Sequence, residues 1–359
     1  MEEQRIPAGG QLLITAAAFV IVVAGMREAQ SLLVPFLLSV FIAIIVAPAL
    51  SYLKSHRVPT AIAIILIILG IAAAGTLVGG LVGGSVDDFS AQLPTYQEKL
   101  RTLTLGLQQW FGEWGVQISA ASVSRLLDPA RAMGMAAQGL SSLSGLLTNA
   151  FLILLTVVFL LFESTDLPAK LRLILKDPER SYAHLNRVVE DIKRYMAIKS
   201  ATSLLTGVLV GLMLTLIGVD YPLLWGVVAF FLNYVPNIGS LIAAIPAILL
   251  ALVQLGSGAA LWATAGYLII NNLVGNLIEP RFMGKGLGLS SLVVFLSLVF
   301  WGWVLGTIGM FLSVPLTMTL KIALDSREDT RWIAVLLGPH LTDSDPPAPT
   351  APRSHDTPR

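Results

Sequence analysis

Asn233-Tyr234-Val235-Pro236-Asn237-Ile238-Gly239 interrupts a run, Tyr221 to Ile278, that carries no charged residue. An uncharged apolar run of this length belongs in a bilayer, yet the heptad disfavours a continuous helix. Pro236 removes an amide donor, and the residue before a proline avoids helical dihedrals. Between Tyr221 and Gln254 this leaves two arms of about 15 residues, roughly 22 Å as helix and short of the ~30 Å hydrocarbon thickness. Neither arm spans alone, so the stretch is expected to enter and return on one side as a re-entrant hairpin with Pro236 and Gly239 at its tip.

The same design recurs from Gly286 to Leu320. Two apolar arms flank Phe300-Trp301-Gly302-Trp303-Val304-Leu305-Gly306-Thr307-Ile308-Gly309, and Pro315 stands where Pro246 stands in the first run. Ile308-Gly309 matches Ile238-Gly239 just before the second arm. A second re-entrant hairpin is expected, with Gly302, Gly306 and Gly309 at its tip.

The rest of the chain fits a membrane. Hydrophobic residues make up 55% and charged residues 13%, against roughly a quarter charged in a soluble domain. The charges leave long free runs, among them Ile6 to Met26, Ala29 to Leu53, Val58 to Val86, Ala132 to Phe162 and Ser200 to Val219. Backbone amides find no partner in hydrocarbon, and these runs are too long and too uniformly apolar for barrel strands, so they read as helices. The fold class is therefore an all-α polytopic membrane protein. About six spanning helices and two re-entrant hairpins are expected, eight transmembrane segments if each hairpin counts as one, with amphipathic helices on the external and cytoplasmic sides. Repeated crossings exclude a cleaved signal peptide as their explanation.

Orientation follows from the basic residues. Lys54, His56 and Arg57 gather in one loop. Lys170, Arg172, Lys176, Arg180, Arg187, Lys193, Arg194 and Lys199 form a larger group. With two hairpins, Arg281, Lys285, Lys321, Arg327 and Arg331 also fall on that side, whereas single long spans would put Arg281 and Lys285 outside. Both termini are expected in the cytoplasm. Ser200–Gln254 and Gly258–Leu320 then form an inverted repeat, an arrangement found in secondary transporters.

Residues 1–340 read as one transmembrane domain. Within it, 11–86 are scaffold helices, 87–145 an external amphipathic segment, 146–199 a span with a cytoplasmic amphipathic helix, and 200–320 the inverted-repeat transport unit. The Pro-rich tail, 341–359, lacks apolar residues to bury and is expected to be disordered. Gly75, Gly79 and Gly83, with Gly80 and Gly84 beside them, form a stripe that suits close helix or subunit contact.

Broken helices leave backbone groups unpaired at membrane depth, tolerated only where they line a cavity or are covered by protein. Asn233, Tyr234, Asn237 and Ser240 at the first break, with Asn271, Asn272 and Asn276 on the following helix, are the expected solute ligands. At α-helical spacing Asn272, Asn276 and Glu279 fall near one face. Glu279, Arg281 and Asp220 are the candidate coupling or gating residues, Glu279 pairing with Arg281 or carrying a proton. No charge lies inside either hairpin, which favours a neutral, hydroxyl-rich solute over a bare ion. A cation/proton antiporter using Glu279 or Asp220, and a scaffold that transports nothing, are the alternatives.

Other classes are disfavoured. A formal net charge of +1 gives no basis for nucleic-acid binding. Cysteine is absent, and His56, His184, His340 and His355 lie outside the apolar runs, so no metal or other cofactor is expected. H-E-x-x-H, G-x-S-x-G and Walker-type patterns are missing, so the chain does not read as an enzyme and its driving force must be a gradient.

N-Y-V-P-N-I-G at Asn233 to Gly239, N-L-I-E-P at Asn276 to Pro280, M-G-K-G-L-G-L-S-S-L at Met283 to Leu292 and F-W-G-W-V-L-G-T-I-G-M-F-L-S-V-P-L at Phe300 to Leu316 resemble the autoinducer-2 exporter family of bacterial membrane proteins. The helix layout from Gln11 to about Arg331 is similar too. The resemblance implies an inner-membrane exporter of small polar signals such as autoinducer-2. It also implies a homo-oligomer, a pentamer, with an elevator-type movement of the hairpin-bearing part. Some members of that family are associated instead with sodium or proton antiport.

Overall fold

The structure is a computed structural model and describes residues 8–113, 149–174, 178–236, 238–283, 289–326 and 330–338. Every regular element among them is helical. Helices α1 (Ala8–Glu28) and α2 (Gln30–Ser55) are joined through Ala29, and a short loop leads to α3 (Thr60–Glu113). Helices α4 (Ala150–Ile174) and α5 (Pro178–Ile217) come next. They are succeeded by α6 (Pro222–Leu232), α7 (Gly239–Leu255) and α8 (Ser257–Asn271). A π-helical turn, Asn272–Ile278, carries α8 into α9 (Glu279–Met283), and α10 (Ser291–Asp325) and α11 (Arg331–Leu336) complete the chain.

Among the described residues, Gln30–Ser55, Thr60–Lys99, Val189–Ile217, Ser257–Met283 and Ser291–Asp325 are long and apolar enough to cross a membrane. Leu32, Leu66, Phe151, Leu212, Leu216 and Trp262 point outward, a surface that suits lipid and not water. The chain is thus an all-α, multi-pass membrane protein. One boundary differs from expectation. The amphipathic residues after Asp87 do not leave the third helix: α3 continues through Pro94 for 54 residues, about 80 Å. The remainder of that segment, 114–145, and the tail, 341–359, lie outside the described residues. The amphipathic stretch before Ser200 runs without a break into its span, as the single 40-residue α5.

Both broken runs fold back on themselves. At the first, the Asp220 amide donates to Gln254 Oε1 at 3.0 Å across a sequence separation of 34, and the Gln254 side-chain amide donates to the Asp220 carboxylate. The two ends of the run therefore meet, and α6 and α7 lie antiparallel around a tip at 233–238. At the second, Trp301 Nε1 donates to Thr317 Oγ1 at 2.9 Å; in a straight helix these residues would stand ~24 Å apart. The reversal occurs at Gly306, at φ 67° and ψ −153°, a conformation open to glycine and barred to other residues. Thr317→Val leaves the buried Trp301 indole N–H without its acceptor, at an expected cost of about 1–3 kcal/mol, measurable as a lower thermal midpoint in detergent.

The tips point in opposite directions. The open end of the first hairpin joins the second half of α3: Tyr96 donates to Gln92 Oε1 at 2.9 Å, and Gln254 donates to the Tyr96 hydroxyl at 3.2 Å. Helices α2 and α3 turn back at the loop between them, with Leu50 packed beside Ala63 and Ile64, so the second half of α3 lies toward the α1–α2 turn. It is the tip of the second hairpin that reaches this turn: Gln30 packs against Gly306, and the Arg27 guanidinium lies 4.9 Å from the Trp303 ring centroid.

Helix α3 takes part in two apolar cores. Ala63 and Ile64 pack with Leu50 of α2 and Ile153, Val157 and Leu161 of α4. Phe89 and Tyr96 pack with Trp225 of α6, Leu250 of α7 and Val210 of α5. The glycine stripe lies between these ends, and nothing comes within 4 Å of a β-carbon built at Gly75, Gly79, Gly80, Gly83 or Gly84. The close glycine contact within the chain is elsewhere, between α5 and α6. A β-carbon at Gly207 would stand 2.7 Å from the Gly226 carbonyl oxygen, and one at Gly226 would stand 2.7 Å from that of Gly207.

Candidate functional site

A buried polar seam runs along α5 where the first tip meets it. Lys199, Thr202, Ser203 and Thr206 are each at most 5% exposed, an unusual density of polar groups inside an apolar assembly. Spacing of three and four puts Lys199, Thr202, Ser203 and Thr206 on adjoining faces of the helix. The threonines satisfy their hydroxyls on the helix itself, Thr202 to the Lys199 carbonyl at 3.1 Å and Thr206 to that of Thr202 at 2.9 Å. Ser200 and Ser203 instead accept from the tip. Asn233 Nδ2 donates to Ser203 Oγ at 3.0 Å, and the Tyr234 hydroxyl donates to Ser200 Oγ at 2.8 Å.

The first tip is closed by Gly239, which packs directly on the Leu232 carbonyl. Pro236 and Val235 form its turn, and Ser240, half-buried, opens the second arm. Asn237 lies outside the described residues. Tyr234 and Ile308, one from each tip, pack against a shared cluster that includes Tyr195, Met196 and Leu312.

The seam ends in an ion pair. Lys199 Nζ stands 2.9 and 3.0 Å from the two Glu279 carboxylate oxygens, with 6% and 16% of the two side chains exposed. The pairing expected between Glu279 and Arg281 is therefore not the one formed. Positions two apart on a helix face different ways, and Arg281 is exposed while Glu279 turns to α5. The π-helical turn also alters the expected shared face. Its i→i+5 winding rotates the residues beyond it relative to an α-helix, so Asn272 and Asn276 stay exposed while Glu279 faces the seam.

The remaining expected ligands are not brought to the tip. Asn276 Nδ2 donates to Asn272 Oδ1 at 2.9 Å, and Asn272 Nδ2 to the Leu268 carbonyl at 3.0 Å. Asn271 is exposed one residue before Asn272. Asp220 lies at the opposite end of the first hairpin, next to Tyr221, whose φ of 58° is rare for a bulky residue. Gln92 Nε2 donates to the Tyr221 hydroxyl at 2.9 Å, holding that corner on α3. At the second tip, Gly302 packs on the Met310 side chain and Gly309 on the Trp301 carbonyl.

Lys199, Ser200 and Ser203 are the residues that sequence reasoning misses. By position Lys199 belongs with the solvated basic residues of the cytoplasmic helix, and the two serines look like ordinary membrane-helix residues. The available signal is their place at the junction where the charged half of α5 becomes apolar. Among the described residues no group of histidine, aspartate and glutamate is arranged to hold a metal.

Two oppositely directed broken-helix hairpins, set among long apolar helices with a buried polar seam at one tip, define a polytopic membrane protein of the transporter type. The chain belongs to the AI-2E transporter family, whose model matches residues 12–328. It is 40% identical over 329 residues to the AI-2 transport protein TqsA of Escherichia coli K12, covering 92% of this chain and 96% of that protein. A putative transport protein of Haemophilus influenzae is 42% identical over 334 residues, covering 91% and 95%. The putative transport protein YhhT of Escherichia coli K12 is 36% identical over 331 residues, covering 92% and 95%. The protein is a membrane transporter.

Proposed function

We propose that this transporter exports autoinducer-2, or a solute of the same small, polar, hydroxyl-rich kind, by alternating access. The observation that carries the reading is the seam at the first tip, where Asn233 pairs with Ser203 and Tyr234 with Ser200 among apolar helices. A polar solute can replace these mutual hydrogen bonds one for one, which keeps its desolvation inexpensive. The name of TqsA supports the choice of solute. In this reading the hairpin-bearing part slides against scaffold helices in an elevator-type movement, within a homo-oligomer in the bacterial inner membrane and with both termini in the cytoplasm. Export of this signal gives the protein a role in quorum sensing, driven by an ion gradient.

Purified protein in liposomes loaded with autoinducer-2 tests the reading. Solute loss well above that of protein-free vesicles is the expected result. Asn233→Ala removes one buried amide donor, worth about 1–3 kcal/mol, and should slow efflux about tenfold or more. An inert wild type that nevertheless releases protons when sodium is added would replace this reading with a cation/proton antiporter. Intact oligomers with no flux of any kind would leave a scaffold.

A further inference from the structure

We propose that Lys199 and Glu279 together form the proton site of the transport cycle, Glu279 as the carboxyl that gains and loses the proton and Lys199 as the cation whose pairing responds to it. The proposal rests on the transport reading above and adds its driving ion.

The pair links the leading helices of the two inverted halves. Lys199 belongs to α5, which precedes the first hairpin, and Glu279 lies near the end of the α8–α9 helix, which precedes the second. It also adjoins the solute seam directly, since Ser200, the next residue on α5, holds Tyr234 of the first tip. Such a pair is a poor device for stability alone: removing two charges from water costs about as much as their attraction returns. Ionisable groups buried among the helices of a membrane protein are candidates for ion pathways. Among the described residues the groups near Glu279 are few. From α5 come Lys199, the buried Tyr195 ring, which lies within electrostatic reach of both Glu279 and Tyr234, and Arg194, whose guanidinium donates to the Phe282 carbonyl at 3.4 Å. Arg281, on the same helix as Glu279, is exposed and turned away, and Tyr234 of the first tip lies within electrostatic reach of Tyr195.

The step is a simple exchange. One proton from water adds to the Glu279 carboxylate and makes a neutral acid; Lys199 keeps its charge and loses its partner. A lone ammonium at this burial is costly, so the protonated protein does not keep the same packing of α5 on α9. The change reaches the tip through Lys199, Ser200 and Tyr234. When the same carboxyl releases its proton, the pair re-forms and the seam closes. Proton occupancy and seam packing are thereby linked.

The full chain in liposomes, with autoinducer-2 as the probe, gives two readouts: solute exchange without a gradient, and accumulation against an imposed pH difference. At one proton per solute, a difference of one pH unit sustains about a tenfold solute ratio. Wild type is expected to approach that ratio. In the charge-neutral K199M/E279Q variant, exchange should persist at a reduced rate while the ratio falls to about one. Infrared difference spectra of the purified protein recorded across a pH titration should show a carboxyl band that K199M/E279Q lacks. If that variant does not fold, Glu279→Asp carries the spectroscopic reading, since it shifts the band.

A variant that still accumulates solute, a wild type that exchanges but ignores pH, or a missing Glu279 band would each overturn the proton site. A wild type without exchange would sink the transport reading instead, and the infrared titration would then decide the proton site by itself.

Discussion

Alanine at Gly309 is expected to abolish transport and to lower stability by about 3 kcal/mol or more, the upper end of the range for overpacking. Its β-carbon would overlap the Trp301 carbonyl oxygen and stand 2.7 Å from Leu305 Cβ. The oxygen belongs to the backbone of the first arm, so it cannot step aside as the end of a long side chain can. The arms must part at their tip. That in turn pulls on the reversal at Gly306 and on the bond between Trp301 and Thr317. Gly239→Ala should behave alike, because its β-carbon would overlap the Leu232 carbonyl. Two controls calibrate the effect. Gly302→Ala meets only the Met310 side chain, 2.8 Å away at its nearest, and should be milder. Gly80→Ala meets nothing within 4 Å and should not lower the thermal midpoint. Wild-type efflux and midpoint in Gly309→Ala would show that the second tip is not closed in this way.

Removing Lys199 alone should be nearly as damaging. Lys199→Ala leaves Glu279 buried without its counter-charge, a change that costs about 3–5 kcal/mol in comparable buried pairs. K199M/E279Q, which removes both charges, should be more stable than either single variant. Thermal midpoints of wild type, K199M, E279Q and K199M/E279Q close the cycle that isolates the pair. Arg281→Ala, an exposed change outside the pair, should move stability by no more than about 0.5 kcal/mol. If Arg281→Ala proved the costly substitution and Lys199→Ala the harmless one, Glu279 would pair with Arg281 and not with Lys199.

Much of the fold is legible because its breaks are written in residues with strong backbone preferences. Pro236 and the glycines at 302, 306 and 309 mark interruptions in apolar runs, and the reversals fall there. The opposite directions of the hairpins follow from Arg281 and Lys285, which a bilayer sorts to one side. The seam is not legible, for reasons of distance and rotation. Lys199 and Glu279 are 80 residues apart, and nothing near Lys199 distinguishes a buried lysine from its solvated neighbours. The π-helical turn has no composition of its own, so α-helical spacing puts Glu279 on the asparagine face that this turn removes it from. The separation of Glu279 and Arg281 by two positions, in contrast, already argues against their pairing. Asp87 and Asp88 look like the end of a span, but acidic residues do not end a helix, and α3 runs on.

That uninterrupted α3 has a mechanical consequence. Its first turns are cemented among α2 and α4 and its stretch around Phe89 and Tyr96 among α5, α6 and α7, so any displacement between those two groups must be absorbed as flexure of one rod. The compliance of that rod is concentrated at the glycines from Gly75 to Gly84, where a β-carbon would meet nothing within 4 Å although Val82 among them packs with the Phe89 core. The travel open to the first hairpin is therefore limited by how far these few turns can bow before their own hydrogen bonds give way.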